Sequence, residues 1–509
     1  MSASQCTTIP NGIRLDQILP NAKTVGASEL IVRSCCGQWD ECEPSDLYVA
    51  VLGNETDGHD YAPDAVRRGA TAVVGERLLA VDCPQFIVED SRQAYGLICH
   101  ALAGKPSELM TTIGVTGTDG KTVTSHLIHS ILTAAGHPTG LATSIESRLG
   151  TSTANPPVAN VNSPLLASQL TQMAMNDCTH AVIESSSISL AQRACSGLLL
   201  DVAVLTNIRR NRMGMHGSAE NYLRAKTRLL DCLKPTGFAV VNADDPTTHR
   251  LLDQIETPAL SIGIHQSAEL TAKMLDRDLS GQTFVIRAGS ESIAVRTNII
   301  GKQHVYNCLS AAAVALTLGI DLSTIAQGIE SAIIPGRLER IDCGQSFGVW
   351  VDSAKSPTQV ATAIAAVGCG SKGRVWCVCS TDDSQSIEDR QKIGDILQKT
   401  TDHAIITSSK VCPQIDYEPT HQILDGFDDP ERAHVIPNRL RAIEYALSNA
   451  RPDDAVIVTG CGEKTIAMVG ERDWSVCDRD VCQAWLYDNA SVNKDDSGPQ
   501  ISHFDDFRN

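Results

Sequence analysis

The chain runs to 509 residues, more than one hydrophobic core usually organises, so roughly three domains are expected. With 42% hydrophobic and 20% charged residues it has the composition of a globular protein. A formal net charge of -18 excludes an electrostatic grip on nucleic acid or an anionic membrane, which needs clustered Lys and Arg.

Any polyanionic substrate must therefore meet local cations or Mg2+. None of the 18 cysteines forms a C-x-x-C pair, so zinc clamps and redox dithiols of that spacing are excluded. Cys308, Cys377 and Cys379 sit in apolar runs and are expected to pack as reduced, small hydrophobes. The N-terminal stretch lacks a basic segment followed by an apolar run, and no run of about 18 apolar residues occurs. A cytoplasmic protein without membrane insertion is the expectation.

In chain order, residues 1–108 carry DLYVAVLGNETDGHDYAPDAVRRGATAVVGE, in which strand, turn, helix and strand alternate as in a small α/β domain. A second region, 109–335, repeats apolar runs at 111–115, 181–184, 201–207 and 238–245 with helices between, which implies a mostly parallel sheet. A third series, VWVD, VWCVCS, AIITSS and AVIVTG, spaced by helical stretches such as 386–400, predicts another doubly wound domain over 336–490. Residues 491–509 read as an acidic tail that is expected to be disordered.

The strongest chemical signal is a strand, a turn and a helix start: Ile113-Gly-Val-Thr-Gly-Thr-Asp-Gly-Lys-Thr122. Val123, Leu127, Ile128, Ile131 and Leu132 fall on one helical face, and Gly136 is the expected stop. Such a loop aims backbone N–H groups and the positive end of a helix dipole at a phosphate. Gly117 and Gly120 permit close approach, Lys121 bridges terminal phosphates and Thr122 offers a hydroxyl to Mg2+. The generic G-x-x-x-x-G-K-[ST] pattern would want Gly where Val115 stands. A Gly-rich turn beside a surface lysine is the bland alternative for this segment alone.

TGTDGKT resembles the TGTNGKT loop of the Mur ligases and of the related folylpolyglutamate and cyanophycin synthetases. HGSAENYLRAKTRLL, VVNADDP and PGRLERID resemble further segments of that family in the same order, and DGHD lies in what looks like its uridine-nucleotide domain. Together they point to the branch acting on UDP-N-acetylmuramoyl-L-alanyl-D-glutamate. The resemblance implies an α/β, three-domain architecture with a P-loop-type central parallel sheet and a Rossmann-like C-terminal domain. It also implies an ATP-dependent amide ligation: a substrate carboxylate is phosphorylated, and an amino acid attacks the acyl phosphate.

By the same resemblance, the ATP site is Thr116, Gly117, Thr118, Asp119, Gly120, Lys121 and Thr122, with Asn307, Arg337 and Asp352. Glu184 matches a Mg2+-binding glutamate, and Lys226 a lysine that is carbamylated in the family to become an anionic metal ligand. Lys121, Glu184 and Lys226 are thus the expected catalytic set, with Thr122, Glu184 and carbamylated Lys226 around the metal. Asn162, Ser163, Ser186 and Arg193 are expected at the substrate. Taken alone, Glu184 reads equally as a capping acid, Lys226 as a solvated helix lysine, and Asn307, Arg337 and Asp352 as ordinary surface pairs and turns.

Several motifs depart from the family's pattern. EVSSHAL becomes Glu184-Ser-Ser-Ser-Ile-Ser-Leu190, and Arg193 stands one position from the family arginine, with Ala194 in its place. TNLSRDHLDYHG reads Thr206-Asn-Ile-Arg-Arg-Asn-Arg-Met-Gly-Met-His-Gly217, so Asn211-Arg212 replaces an Asp-His pair whose His is a metal ligand. Arginine does not coordinate Mg2+, although it supplies a fixed positive charge. TTP is Asn162-Ser163-Pro164, Lys355 replaces a histidine, and Ser409-Lys-Val-Cys412 stands where DNPR would read the amino acid. Three readings remain: an active ligase with altered metal and amino-acid sites, a nucleotide-binding homologue that regulates or scaffolds, or a related ligase for another carboxylate such as a folate, against which the DGHD segment stands.

Overall fold

In the computed structural model, residues 5–6, 12–27, 29–53, 56–150, 152–154, 160–209, 216–380, 385–409, 418–463, 466–468 and 474–491 are described. The Asn211-Arg212 substitution, Lys410 to Cys412 and the acidic tail beyond 491 lie outside them. The chain divides into two compact units, one of residues 1–271, 287–291 and 306–328, the other of 272–286, 292–305 and 329–509.

The first unit holds two large sheets and a short antiparallel pair, Ile13–Arg14 with Ile31–Val32. Near the N-terminus, β1 (Gln5–Cys6), β2 (Lys23–Val25), β3 (Cys35–Cys36), β4 (Leu47–Val49), β5 (Ala72–Gly75) and β6 (Gln85–Ile87) pair in the order β1-β3-β4-β5-β6-β2. β3 to β6 run parallel, while both edge strands are antiparallel. The helix Ser91–Leu102 packs Ala94, Ile98, Cys99 and Leu102 against Leu47, Val49, Val74 and Phe86.

The second sheet positions the site. β7 (Thr111–Thr116), β8 (Thr139–Ala142), β9 (His180–Glu184), β10 (Leu200–Leu205), β11 (Leu233–Asn242) and β12 (Ala259–Gly263) lie in the order β8-β9-β7-β10-β11-β12, all parallel. Their near-continuous Val, Ile, Leu and Ala runs are those of strands covered on both faces. The chain leaves β7 toward β8 on one side and later returns to β10 on the other. β7 is therefore the switch point, where a crevice opens beyond the carboxyl ends of the strands. Register sets Glu184 beside Val115 and Leu205 beside Thr116, so both neighbours end level with the loop that follows β7.

α1 (Lys121–Ala134) leaves that loop with Leu127, Ile128, Ile131 and Leu132 buried, as the spacing predicts. It stops where Gly136 takes φ +80°. Three strands absent from the sequence reading, Leu270–Asp278, Gly281–Ala288 and Glu291–Thr297, follow β12. The first and third carry several exposed positions.

In the second unit, β13 (Gly348–Asp352), β14 (Val375–Cys379), β15 (His403–Ile406), β16 (Ala433–Val435) and β17 (Ala455–Thr459) form a parallel sheet ordered β13-β17-β14-β15-β16. Glu339–Ile341 adds an antiparallel edge. The four apolar runs of the third series are thus strands, and 386–400 is a helix capped by Ser386 and spanning Ile387–Thr400. Cys377 and Cys379 are fully buried among Val360, Ile364, Ile393 and Leu397, and the cysteines of the described residues are free thiols. Among the described residues no helix is long and apolar enough to cross a membrane.

Candidate functional site

The loop between β7 and α1 is held from beneath by the strand end that follows β10. Thr118 N–H donates to the Asn207 carbonyl at 2.8 Å and Asp119 N–H to Asn207 Oδ1 at 3.0 Å. Thr206 Oγ1 and Asn207 Nδ2 both donate to the Asp119 carbonyl, at 2.7 and 2.9 Å. A Cβ at Gly117 would stand 1.8 Å from Thr206 Oγ1, so only glycine fits there. Gly120 takes φ +86°, and a Cβ there would meet Asn307 Oδ1 at 2.3 Å. Glycine at these two positions lets the turn close directly onto the helix start.

The side chains after the turn converge. Lys121 Nζ donates to the Thr118 carbonyl at 3.2 Å. Thr122 Oγ1 donates to Glu184 Oε2 at 2.9 Å, and the same oxygen accepts Ser144 N–H at 3.1 Å and Ser144 Oγ–H at 3.2 Å. Lys226, in the helix Ala219–Thr227, is 1% exposed and donates from Nζ to the Gly117 carbonyl at 2.6 Å. It also lies 4.9 Å from the centre of the Tyr222 ring. Burial, and then the charge of Lys121, push its pKa well below that of an ordinary lysine. Asp119 faces Arg209 Nη1 at 3.6 Å. Tyr222 hydroxyl and Thr118 Oγ1 are 2.9 Å apart, and the edge of the His216 ring meets Tyr222 with centroids 5.3 Å apart.

The structure thus brings Thr116, Gly117, Thr118, Asp119, Gly120, Lys121, Thr122, Glu184, Lys226 and Asn307 together at one strand edge. Sequence reasoning missed the residues that hold this group in place: Ser144, Asn207 as a side-chain partner, Tyr222 and Arg209. Asn207 stood in the segment Thr206 to Gly217, whose first two residues agree with the family's TNLSRDHLDYHG, and this was the available signal, whereas Ser144 carries none.

A second feature of this unit is a cavity of about 510 Å³ beside β4. Asn162, Ser163, Tyr95, Arg92 and the stacked pair Trp39 and Tyr61, whose ring planes differ by 4°, line it. Asn162 also caps the helix Ser163–Met175 by accepting Leu165 N–H at 3.1 Å. The other two expected substrate contacts have different partners. Ser186 caps the turn Ser187–Ala191 and donates to Asn160 Oδ1 at 2.9 Å. Arg193, at φ +60°, donates to Asp90 Oδ2 at 3.0 Å, while its neighbours Gln192 and Ala194 line the cavity.

In the second unit Arg337 and Asp352 are close in the fold. Arg337 Nη1 pairs with Glu463 Oε2 at 2.6 Å, and Asp352 accepts Leu338 N–H and Ala354 N–H, each at 2.7 Å. Both are part-buried at the carboxyl end of β13, with Gly460 and Gly462 at positive φ beside them.

Comparison with known proteins agrees with this geometry. Residues 40–96 match the description "Mur ligase family, catalytic domain", 115–315 the Mur ligase middle domain and 336–462 the "Mur ligase, glutamate ligase domain". The UDP-N-acetylmuramoyl-L-alanyl-D-glutamate--2,6-diaminopimelate ligase of Geobacillus thermodenitrificans is 32% identical over 87% of this chain and 92% of that protein. Its namesake from Geobacillus kaustophilus is 33% identical over 86% and 91%. A solved structure of a ligase with the same name superposes with a TM-score of 0.70, covering 94% of this chain and 99% of the other at 22% identity. An ADP complex of a MurF ligase from Thermotoga maritima gives 0.57 at 20% identity, over 84% and 93% of the two chains. The three matched regions, the 32% identity over most of the chain and the shared fold place the protein in the Mur ligase family.

Proposed function

We propose that the chain is an ATP-dependent ligase that joins an amino acid to UDP-N-acetylmuramoyl-L-alanyl-D-glutamate in peptidoglycan precursor synthesis. It would work in the cytoplasm as three domains, 1–108, 109–335 and 336–490. The observation that carries this reading is the pairing of Thr122 Oγ1 with Glu184 Oε2 at 2.9 Å, at a helix start where Lys121 and Lys226 also converge. Two hard oxygens at that spacing suit Mg2+, because adjacent ligands of an octahedral ion with bonds of 2.0–2.1 Å stand about 3 Å apart. When bound, the ion neutralises phosphate charge, which phosphoryl transfer needs more than it needs a strong base.

The protein's own groups supply the remainder. Loop N–H groups and Lys121 orient the phosphates. The depressed Lys226 favours the neutral amine, the form that reacts with carbon dioxide to give a carbamate, and such a carbamate would be a further oxygen donor. Asn307 Oδ1 is buried without a hydrogen-bond partner, so it is an acceptor ready for a nucleotide's amino group. Arg337 and Asp352 are ATP contacts by the family resemblance alone, and the cavity holding Asn162 and Ser163 suits the muramoyl nucleotide, with Ser186 and Arg193 beside it.

The relatives' names specify 2,6-diaminopimelate. Ser409-Lys-Val-Cys412 provides no DNPR arginine to read a diamino acid, so the proposal carries over the acceptor carboxylate and leaves the amine donor as an amino acid. Asn211-Arg212 favours the second reading, a nucleotide-binding homologue without turnover. Phosphate release from ATP, measured with UDP-N-acetylmuramoyl-dipeptide and a panel of amino acids, separates the two. Release that needs both substrates and vanishes in K121A is expected; nucleotide binding with no release under any combination would refute ligation.

A further inference from the structure

His126 lies four residues after Thr122 in α1, with 4% of its surface exposed, and none of the roles above uses it. Its Nδ1 stands 2.8 Å from the Thr122 carbonyl oxygen and its Nε2 2.8 Å from Glu146 Oε1. Burial alone would favour the neutral acid of Glu146, but hydrogen bonds from His126 and Arg148 bring its pKa down to about 2. Glu146 is therefore a carboxylate. Carbonyl and carboxylate oxygens only accept, so the His126 ring bridges two acceptors, one on its own helix and one on the turn opposite. Arg148 holds the same Glu146 oxygen at 2.8 Å.

Glu146 ends a tight turn in which Thr143 N–H donates to the Glu146 carbonyl at 2.9 Å and Thr143 Oγ1 accepts Glu146 N–H at 3.1 Å. That turn carries Ser144, whose N–H and hydroxyl both reach Glu184. A closed circuit results: Thr122 to His126 to Glu146, through the turn to Ser144, on to Glu184 and back to Thr122. We propose that His126 is a positioning residue, whose ring, bridging the Thr122 carbonyl and Glu146, locks the Thr122 hydroxyl and the Glu184 carboxylate at the separation that a Mg2+-nucleotide requires. The proposal rests on the ligase reading for its catalytic consequence, but not for the circuit itself.

Glutamine at 126 has one donating and one accepting end, so opposite two acceptors it must lose one of them. Glutamine at 146 restores a donor to face it, so H126Q/E146Q regains a matched pair. The experiment uses the full chain as wild type, H126Q, E146Q and the double variant. It reads KM for Mg-ATP and kcat separately, together with amide hydrogen exchange over residues 121–125. Loss of one charge-assisted hydrogen bond should raise the H126Q KM roughly tenfold or more with a smaller change in kcat, and should speed exchange. The double variant should recover most of both. A wild-type KM and wild-type exchange in H126Q, or a double variant no better than the combined singles, overturns the proposal. Where H126Q does not fold, E146Q weakens the same contact and carries the same expected and overturning results. Exchange needs no turnover, so it decides the role of His126 even if the wild type releases no phosphate, an outcome that would instead strike the ligase reading.

Discussion

Replacing Gly117 with alanine strikes the contact that sets the height of the phosphate loop. The new Cβ would lie 1.8 Å from Thr206 Oγ1, while ordinary contact begins at 3.4 Å, so hydroxyl and loop must separate by about 1.6 Å (3.4 - 1.8). Thr206 Oγ1 donates to the Asp119 carbonyl at 2.7 Å, and Thr118 N–H hangs from the neighbouring Asn207 carbonyl at 2.8 Å. Separation releases at least the first bond, a loss of about 1 kcal/mol, and moves the loop by more than the roughly 1 Å misplacement that costs about a hundredfold in rate. kcat/KM for ATP in G117A should therefore fall about a hundredfold, with a loss of unfolding stability of only about 1–3 kcal/mol. Truncating the opposing side chain tests the cause: G117A/T206A removes the colliding hydroxyl and should recover roughly tenfold over G117A. Steady-state kinetics on the four proteins would refute the reasoning if G117A matched wild type, or if T206A gave no relief in the alanine background.

Three other outcomes are expected. E184Q should abolish the tightening of nucleotide binding by Mg2+ while leaving metal-free binding intact; calorimetry that found the wild-type Mg2+ dependence in E184Q would dismiss Glu184 as a ligand. His100 is buried, neither ring nitrogen has a hydrogen-bond partner, and burial pushes its pKa from 6.5 to about 4. Because the unfolded chain then takes up the proton first, the stabilisation is complete above pH 6.5 and is lost as pH falls toward 4, by about 3 kcal/mol. Urea unfolding at pH 7 and 4.5 should show that loss in wild type and a smaller one in H100L; equal losses would contradict it. Arg439 and Asp478 are each 1% exposed and joined by two bonds of 2.7 Å, so R439M should cost about 3–5 kcal/mol by stranding a buried carboxylate. R439M/D478L should cost less, and a double variant less stable than R439M in thermal unfolding would argue against a stranded charge.

Much of the fold was legible because its strands are buried on both faces and read as unbroken apolar runs. β7, β9, β10 and β14 are of this kind, as is the helix that starts at Lys121. Of the strands of 270–297, Leu270–Asp278 and Glu291–Thr297 were not legible because each carries several exposed positions and charged residues at short spacing. At the site, glycine and lysine spacing marked the loop, and a carboxylate ending an apolar strand marked Glu184. The supports were hidden for a physical reason. Ser144, His126 and Glu146 are ordinary polar residues whose meaning arises only where a turn, a helix and a strand end come together. The Arg193 pairing with Asp90 was likewise hidden, since chain spacing gives no sign of a residue 103 positions away.

The departures from the family pattern divide by chemistry. Gly117, Gly120, Lys121, Thr122, Glu184 and Lys226 are all present, and Lys121, Lys226 and the Thr122–Glu184 pair each make a hydrogen bond around the helix start. The altered positions, Asn211-Arg212, Lys355 and Ser409 to Cys412, lie in other motifs. By the family resemblance the first group belongs to activating a carboxylate with ATP, whereas Asn211-Arg212 stands where a metal ligand would be and Ser409 to Cys412 where DNPR would read the amine. A chain that buries Lys226 beside the phosphate loop, close to Lys121, spends folding free energy on desolvating an amine at one strand edge. A scaffold that had abandoned nucleotide chemistry would have no physical reason to bear that cost, so divergence in the amino acid accepted explains the pattern better than loss of the reaction.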